Sequence, residues 1–333
     1  MKKILITGGA GYIGSHVLKQ LLQQTEYEIM VLDNFVTGFK RTLETLQEIR
    51  AFRYVNQDLS SWEEVDKLIE KEKFHVIMHF AASLVVPESI ENPIKYYLNN
   101  SANTTHLVHC AVKHKVQSFI FSSTAAVYGE VNLEDAREGI TEAFIKHPMN
   151  PYGESKLFSE RVIEDVANVS ELKYIIFRYF NVVGVDKENM IGQYTKNATH
   201  LFKVIAETAL GKRDKVEIFG NDYETRDGTC IRDYIDIDDL VNAHIQAILY
   251  LEENDSDIFN IGYGKGYSVQ EVIDMMKKVS GVDFKVITSK RREGDPPFVI
   301  ANNQKILTKM RWKPQYDSLE LICQKIIEWE KKL

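Results

Sequence analysis

The sequence is poor in cysteine and proline: three Cys and seven Pro among 333 residues. Cys110, Cys230 and Cys323 are widely separated. An odd count with no Cys-x-x-Cys pair argues against both a disulfide framework and a thiolate zinc site, so the thiols read as reduced core or helix residues. No window approaches the roughly 18 unbroken apolar residues that a membrane span requires. The opening MKKILITGGAG carries two lysines and an apolar run, but glycines break that run before a signal-peptide core is complete. A cytoplasmic location and no membrane partner are therefore expected. Positive charge is also short, with 41 Lys and Arg against 48 Asp and Glu and a net charge of -7. Nucleic-acid binders neutralise phosphates with clustered cations, so no nucleic-acid partner is expected, although KRR at 290–292 forms a local basic cluster. Repeats, low-complexity tracts and long Gly/Ser/Pro linkers are absent too, which predicts packed rather than tethered lobes.

What is present is an ordinary globular composition, 44% apolar and 27% charged, long enough for one large or two modest domains. The first half alternates two periodicities. KKILITG and EIMVLDN read as buried strands flanking GSHVLKQLLQQ, whose apolar spacing is helical. The alternation continues through FRYVNQD, EEVDKLIEKE, FHVIMHFAA, NNSANTTHLVHCAVKHK and SFIFSSTAAVYG, then a helix from Pro151 and the strand YIIFRYF. This pattern predicts an α/β fold, a Rossmann-type doubly wound parallel sheet over residues 1–180. After Asn181 the alternation loosens, with helical segments at THLFKVIAETALGKR, from Asp239, and at SVQEVIDMMKKV. Residues 181–333 are expected to form a smaller C-terminal substrate-binding lobe, with some segments returning to the first sheet.

The first chemical signal is GGAGYIG, which lies between a strand and a helix. Gly8 permits a tight turn, Gly11 lets backbone approach a pyrophosphate, and Gly14 allows close helix packing, while the helix N-terminus attracts the anion. About 20 residues further on, Asp33 ends the second strand, where its carboxylate would accept from an adenosine ribose diol and repel a 2′-phosphate. The expected cofactor is NAD. Asp58, ending the third strand, could hold the adenine amino group or act as an ordinary helix N-cap.

The second signal joins strand FIFSSTAAVYG to NPYGESK. Ser122, Ser123 and Thr124 end a strand at the ligand-binding edge of such a sheet, where a hydroxyl can hold a substrate oxygen. Tyr152 and Lys156, at i and i+4 of a helix, project from one face. A phenol ionises near pKa 10, too high for a base at neutral pH. An ammonium about 5 Å away at an effective dielectric near 20 contributes roughly 3 kcal/mol, or ~2 pKa units. That attraction is expected to bring Tyr152 into working range.

GGAGYIGSH, VLDN, HFAAS, FSSTAAVYGE, NPYGESK, FRYFNVVG, GNDYETRDGTCIRDYI and RREGDPP together resemble the UDP-glucose 4-epimerases of the extended short-chain dehydrogenase/reductase family, along effectively the whole chain. The glycine loop and Tyr-x-x-x-Lys are general to short-chain dehydrogenases, whereas GNDY…DGTCIRDYI is more specific to hexose 4-epimerases. The resemblance implies that Tyr152 is the base, Lys156 lowers its pKa and holds the nicotinamide ribose, and Thr124 hydrogen-bonds the sugar oxygen. It further implies that Tyr12, Ile13, Asp33, Asn34, Asp58, Leu59, Phe80, Ala81, Asn99, Tyr152 and Lys156 contact tightly bound NAD. By the same resemblance Asn181, Leu201, Phe219, Arg232, Arg292 and Asp295 contact a UDP-sugar, and a homodimer paired through two helices is expected.

Two positions depart from that pattern: Leu84 stands where many relatives have lysine, and His200 where they have asparagine. Val299 occupies the position of a bulky tyrosine in relatives restricted to UDP-glucose and UDP-galactose. An acetamido group needs the volume a phenol ring would fill, so UDP-GlcNAc and UDP-GalNAc are expected as additional substrates. Asp236, Asp238 and Asp239 read as helix capping. The pairs His75/His79 and His106/His109 lack a third ligand, so no metal is expected. Alternative readings are an epimerase of another sugar, such as UDP-glucuronate, a 4,6-dehydratase, or an inactive NAD-sensing protein. Dehydratases typically carry an Asp-Glu pair after the strand threonine, where Ala125 and Ala126 stand here. A sensor would need the glycines and Asp33 but neither Tyr152 nor Lys156.

Overall fold

A computed structural model of the chain describes residues 1–131, 138–195, 200–292 and 295–333. Its strands are β1 (Lys3–Thr7), β2 (Glu28–Asp33), β3 (Arg53–Asn56), β4 (Val76–His79), β5 (Ser118–Thr124), β6 (Lys173–Tyr179), β7 (Asn181–Val183), β8 (Val216–Phe219), β9 (Ile231–Asp236), β10 (Asp257–Ile261), β11 (Gly266–Ser268), β12 (Val286–Ser289) and β13 (Phe298–Val299). A seven-stranded sheet runs β10-β6-β5-β4-β1-β2-β3. Its β1–β2, β1–β4, β2–β3, β4–β5 and β5–β6 pairs are all parallel. The successive strands β1 to β3 wind one way from the centre and β4 to β6 the other. That reversal between β1 and β4 opens a crevice at their carboxyl ends, where such sheets bind ligands. KILIT and VIMH are buried nearly end to end, as strands covered by helices on both faces must be.

The chain divides into two compact units. The first comprises Met1–Gly129, Glu142–Tyr179 and Val241–Phe259. Its core gathers Leu5, Ile77, Phe119, Phe121 and Ile176 from the strands with Leu107 and Ile163 from the helices. The second comprises Glu130–Thr141, Phe180–Leu240 and Asn260–Leu333. Its core packs Phe202 and Ile205 of the Leu201–Ala209 helix against Tyr234, Ile273 and Ile322. Compared with a division at residue 180, the 130–141 segment joins the second unit and 241–259 the first.

Local differences from the sequence pattern have physical causes. The helix expected from Asp239 begins at Ile237, two residues earlier, because Asp236 Oδ1 accepts from Asp238 N at 2.9 Å and caps it there. The helix expected over NNSANTTHLVHCAVKHK is split. Tyr97–Ala102 is a π-helical turn that runs into the Asn103–Lys113 α-helix. Asn100 sits in that turn, with its amide bridging Ser83 O at 2.9 Å and Ser155 Oγ at 3.0 Å. Widened turns of this kind concentrate at functional sites.

Candidate active site

The glycine loop follows β1 and touches the segment after β4. Gly8 has φ +73, and a Cβ on it would lie 2.6 Å from Ala81 N. A Cβ on Gly14 would lie 2.3 Å from Gly8 O, so the Tyr12–Gln24 helix sits directly on the loop. Gly11 is the N-cap residue of that helix; no side chain caps it, and no acidic residue occupies its first turn. The backbone N–H groups and positive dipole end of that turn suit a phosphate.

Asp33 closes β2 beside the loop. Its Oδ2 accepts from Ala10 N at 2.9 Å and its Oδ1 from Phe35 N at 2.8 Å, an arrangement that needs Phe35 at φ 58. Burial pushes this carboxyl above its ordinary value, while the two N–H bonds pull it back. Asn34 Nδ2 donates to Asp58 Oδ2 at 2.6 Å, and Ser60 N to Asp58 Oδ1 at 2.8 Å. The Ser60 and Asn34 hydrogen bonds hold Asp58 below the usual carboxylate range. A narrow glycine cradle, an uncapped helix start and an anchored carboxylate 23 residues beyond Ala10 fit the pyrophosphate and ribose diol of NAD. Tyr12, Ile13, Phe80 and Ala81 are partly exposed around the cradle, whereas Leu59 is buried in the core. Asn99 donates to Ser83 Oγ at 3.1 Å, and Leu84 is exposed.

Tyr152 and Lys156 lie in the first turns of the Pro151–Ala167 helix. Asn150 caps that helix by accepting from Gly153 N at 2.9 Å, and Pro151 presets its first φ. Tyr152 shares a hydrogen bond with the Thr124 hydroxyl at the end of β5, which also accepts from Ala126 N. Lys156 is buried; its Nζ donates to Ser122 O at 2.7 Å and lies 4.8 Å from the Phe121 ring centre. Burial pulls the Lys156 ammonium down to about 7, with Glu160 opposing that pull. Burial also pushes the Tyr152 phenol up, and the Thr124 hydrogen bond, rather than Lys156, is what lowers it. The expected electrostatic gain from Lys156 is thus outweighed by the desolvation of the phenol itself.

In the second unit, Arg232 on β9 donates to Ile231 O at 2.8 Å and pairs with Asp295 Oδ1. Val299 on β13 is the register partner of Arg232, and Asn181 on β7 that of Tyr234. Strand alternation therefore places Asn181, Arg232 and Val299 on one face of this small sheet. The Arg292 guanidinium lies 3.8 Å over the Phe219 ring centre, and both residues line an open groove of about 890 Å³. Asp295 N donates to Arg292 O at 3.3 Å, linking the two groups. Glu293 and Gly294, within the RREGDPP motif, lie outside the described residues. Leu201 opens its helix with His200 at the N-cap position. Asp236 and Asp238 pair with Lys325 at 2.9 and 3.3 Å, and no group of three potential metal ligands occurs among the described residues.

The profile of the NAD dependent epimerase/dehydratase family matches residues 4–262. The chain belongs to that family. It is 40% identical to the UDP-glucose 4-epimerase of Azospirillum brasilense over 99% of this chain and 92% of that one. Among solved structures, it is 52% identical to the UDP-Glc/GlcNAc 4-epimerase of Campylobacter jejuni, with TM-score 0.87 and complete coverage of both chains. The UDP-glucose 4-epimerase of Bifidobacterium longum, in complex with NAD+ and UDP, aligns with TM-score 0.92 at 31% identity, covering 99% of this chain and 98% of that one.

In this member of the epimerase/dehydratase family, sequence reasoning passed over a buried cluster behind the Tyr-x-x-x-Lys pair. Glu160 Oε2 accepts from Arg178 Nη2 at 2.6 Å, and Glu160 Oε1 accepts from the Ser123 hydroxyl. Arg178 Nη1 donates to Tyr128 Oη at 2.9 Å. The available signal was spacing: Glu160 lies two helical turns after Tyr152, on the face that Tyr152 and Lys156 share.

Proposed function

We propose that the protein catalyses reversible C4 epimerisation of UDP-hexoses, UDP-Glc with UDP-Gal and UDP-GlcNAc with UDP-GalNAc, and keeps NAD through the cycle. The observation that carries this reading is the Tyr152–Thr124 hydrogen bond with Lys156 one turn away, at the strand edge of an NAD-binding fold. C4 of a hexose has no adjacent carbonyl, so its C–H cannot simply be deprotonated, and inversion needs a transient ketone. Bound NAD supplies reversible hydride acceptance and a nearby positive charge. Tyr152 Oη takes the proton of the sugar 4-hydroxyl and returns it when the 4-keto sugar has presented its other face. Thr124 shares its hydroxyl between that phenol and the sugar oxygen. Lys156, fixed by Ser122 O, is placed to hold the nicotinamide ribose, and the positive charge of bound NAD favours phenolate.

In the second unit, the same reading assigns the UDP moiety to Arg232, Arg292, Phe219, Leu201 and Asn181, and a uridine ribose hydroxyl to Asp295. A guanidinium offers five N–H donors in a fork suited to phosphate oxygens. Val299 leaves the volume an acetamido group requires, and the 52% identical relative named for both UDP-Glc and UDP-GlcNAc supports that scope. We further infer a cytoplasmic enzyme, supported by three buried free thiols and by the absence of a helix long and apolar enough to cross a membrane among the described residues. An exposed apolar surface on the first unit supports a homodimer.

The direct test incubates purified protein, without added NAD, with UDP-Glc and separately with UDP-GlcNAc, and resolves the C4 epimers. Turnover of both substrates is expected, with Tyr152→Phe inactive yet still retaining NAD and binding UDP. Near-normal epimerisation by Tyr152→Phe would overturn the base assignment.

A further inference from the structure

Three consecutive residues at the end of β5 are each held by a residue of the Pro151–Ala167 helix, at successive turns. Tyr152 bonds the Thr124 hydroxyl, Lys156 Nζ bonds the Ser122 carbonyl at 2.7 Å, and Glu160 accepts from the Ser123 hydroxyl. The first two belong to the chemistry already described. The third reaches a carboxylate with no route to solvent: the Glu160 and Arg178 side chains are 1% and 2% exposed. Arg178 grips Glu160 through Nε as well as Nη2, at 3.1, 3.2 and 2.6 Å, and is itself held by Tyr128 Oη at 2.9 Å and Glu142 O at 3.3 Å.

A buried ion pair is weak evidence for stability, because desolvating two charges costs several kcal/mol. Its placement one turn beyond Lys156 therefore asks for another role. We propose that Glu160 is a positioning residue for the Tyr152–Lys156 pair, holding the Ser122–Thr124 strand end through Ser123 and facing the Lys156 side chain with a buried negative charge. Glu160 is also faced by Glu164 of its own helix, by Arg178 and Tyr174 of β6, and by Lys146. Arg178 fixes both carboxylate oxygens of Glu160 in place. Burial alone favours neutral lysine, and Glu160 is the group that opposes it.

The inference deepens the epimerase reading and rests on it for its consequence, but its first readout is independent of turnover. The Lys156 ammonium is titrated by NMR in lysine-ε-¹³C-labelled, NAD-loaded protein, the resonance being assigned by its loss in Lys156→Met. In Glu160→Gln the titration midpoint is expected to fall by about one pH unit or more. Because Glu160→Gln leaves Arg178 buried without its partner and can compromise folding, Glu160→Gln/Arg178→Met removes both charges and is expected to show a fall of the same sign. In both variants kcat should lose its alkaline limb at correspondingly lower pH, with KM for UDP-Glc unchanged. A Lys156 midpoint unmoved in either folded variant overturns the role of Glu160. A moved midpoint in a wild-type protein without epimerase activity would uphold that role and overturn the functional reading instead.

Discussion

Lys156 donates to the backbone carbonyl of Ser122 at 2.7 Å from a position that solvent scarcely reaches. Burial disfavours the charged form and draws the pKa of this ammonium to about 7 from 10.5. The unfolded chain thus binds more protons than the folded one between those two values. This group's contribution to stability is complete above the unfolded pKa and is lost as pH falls through the folded one. Lys156→Met, of similar shape and uncharged, is expected to abolish turnover and to raise Tm by ~2 °C or more at pH 6, with the gain shrinking toward pH 10. Thermal melts of both proteins across that range are the measurement; a gain that does not change with pH would show that the ammonium is not the source.

A second prediction contrasts two glycines of nearly equal φ. Gly8 at +73 would carry a Cβ 2.6 Å from Ala81 N, while Gly211 at +72 has nothing within 4 Å. Both alanine substitutions incur the left-handed penalty of about 1–2 kcal/mol. Only Gly8→Ala must also push the segment after β4 away from the loop. Gly8→Ala is expected to purify with little NAD, and Gly211→Ala to lose a few degrees of Tm while keeping both cofactor and activity. Cofactor content by absorbance after denaturation distinguishes them, and equal NAD retention would contradict the close-approach argument.

The glycine loop, Asp33 and the alternation of strands and helices were legible because each depends on short-range constraints: a φ, a periodicity, a spacing. Tyr152 and Lys156 were legible for the same reason, being one helical turn apart. Their electrostatics were not. Whether a lysine lowers a phenol's pKa depends on how far each is desolvated, and the packing that buries both residues comes from distant strands. Glu160 and Arg178 escaped notice because their pairing requires knowing that the helix packs where β5 and β6 adjoin. Likewise Val299 and Arg232, far apart in sequence, become register partners only when β13 joins β9.

That register gives Val299 its expected effect. A side chain directly beside Arg232, and on the same face, can set the room left for a substituent on the sugar. Val299→Tyr should lower kcat/KM for UDP-GlcNAc relative to UDP-Glc by about tenfold or more, since the clash is with the acetamido group alone. Unchanged selectivity in that variant would move the determinant elsewhere.

The apolar surface of the first unit yields the last prediction. Ile90, Ile94 and Leu98 recur at four-residue intervals and are 64%, 64% and 61% exposed, with Phe158 on the Pro151–Ala167 helix 51% exposed. Ile90 lies on the short Val86–Glu91 helix, Ile94 on the Pro93–Tyr96 helix, and Leu98 in the π-turn that follows. Large apolar side chains left in water over so short a stretch of chain are uncommon on a monomer and mark an association surface. A second copy of the chain is the natural occupant, since the same stripe can self-complement about a two-fold axis. Sedimentation at micromolar concentration should therefore find a dimer, and Ile94→Glu/Leu98→Glu, which places two like charges on each side of the contact, should shift it to monomer. The Tyr152–Thr124 bond and the glycine loop use none of these side chains, so the monomeric variant should still retain NAD. A wild-type protein that sediments as a monomer would leave the stripe to some other partner.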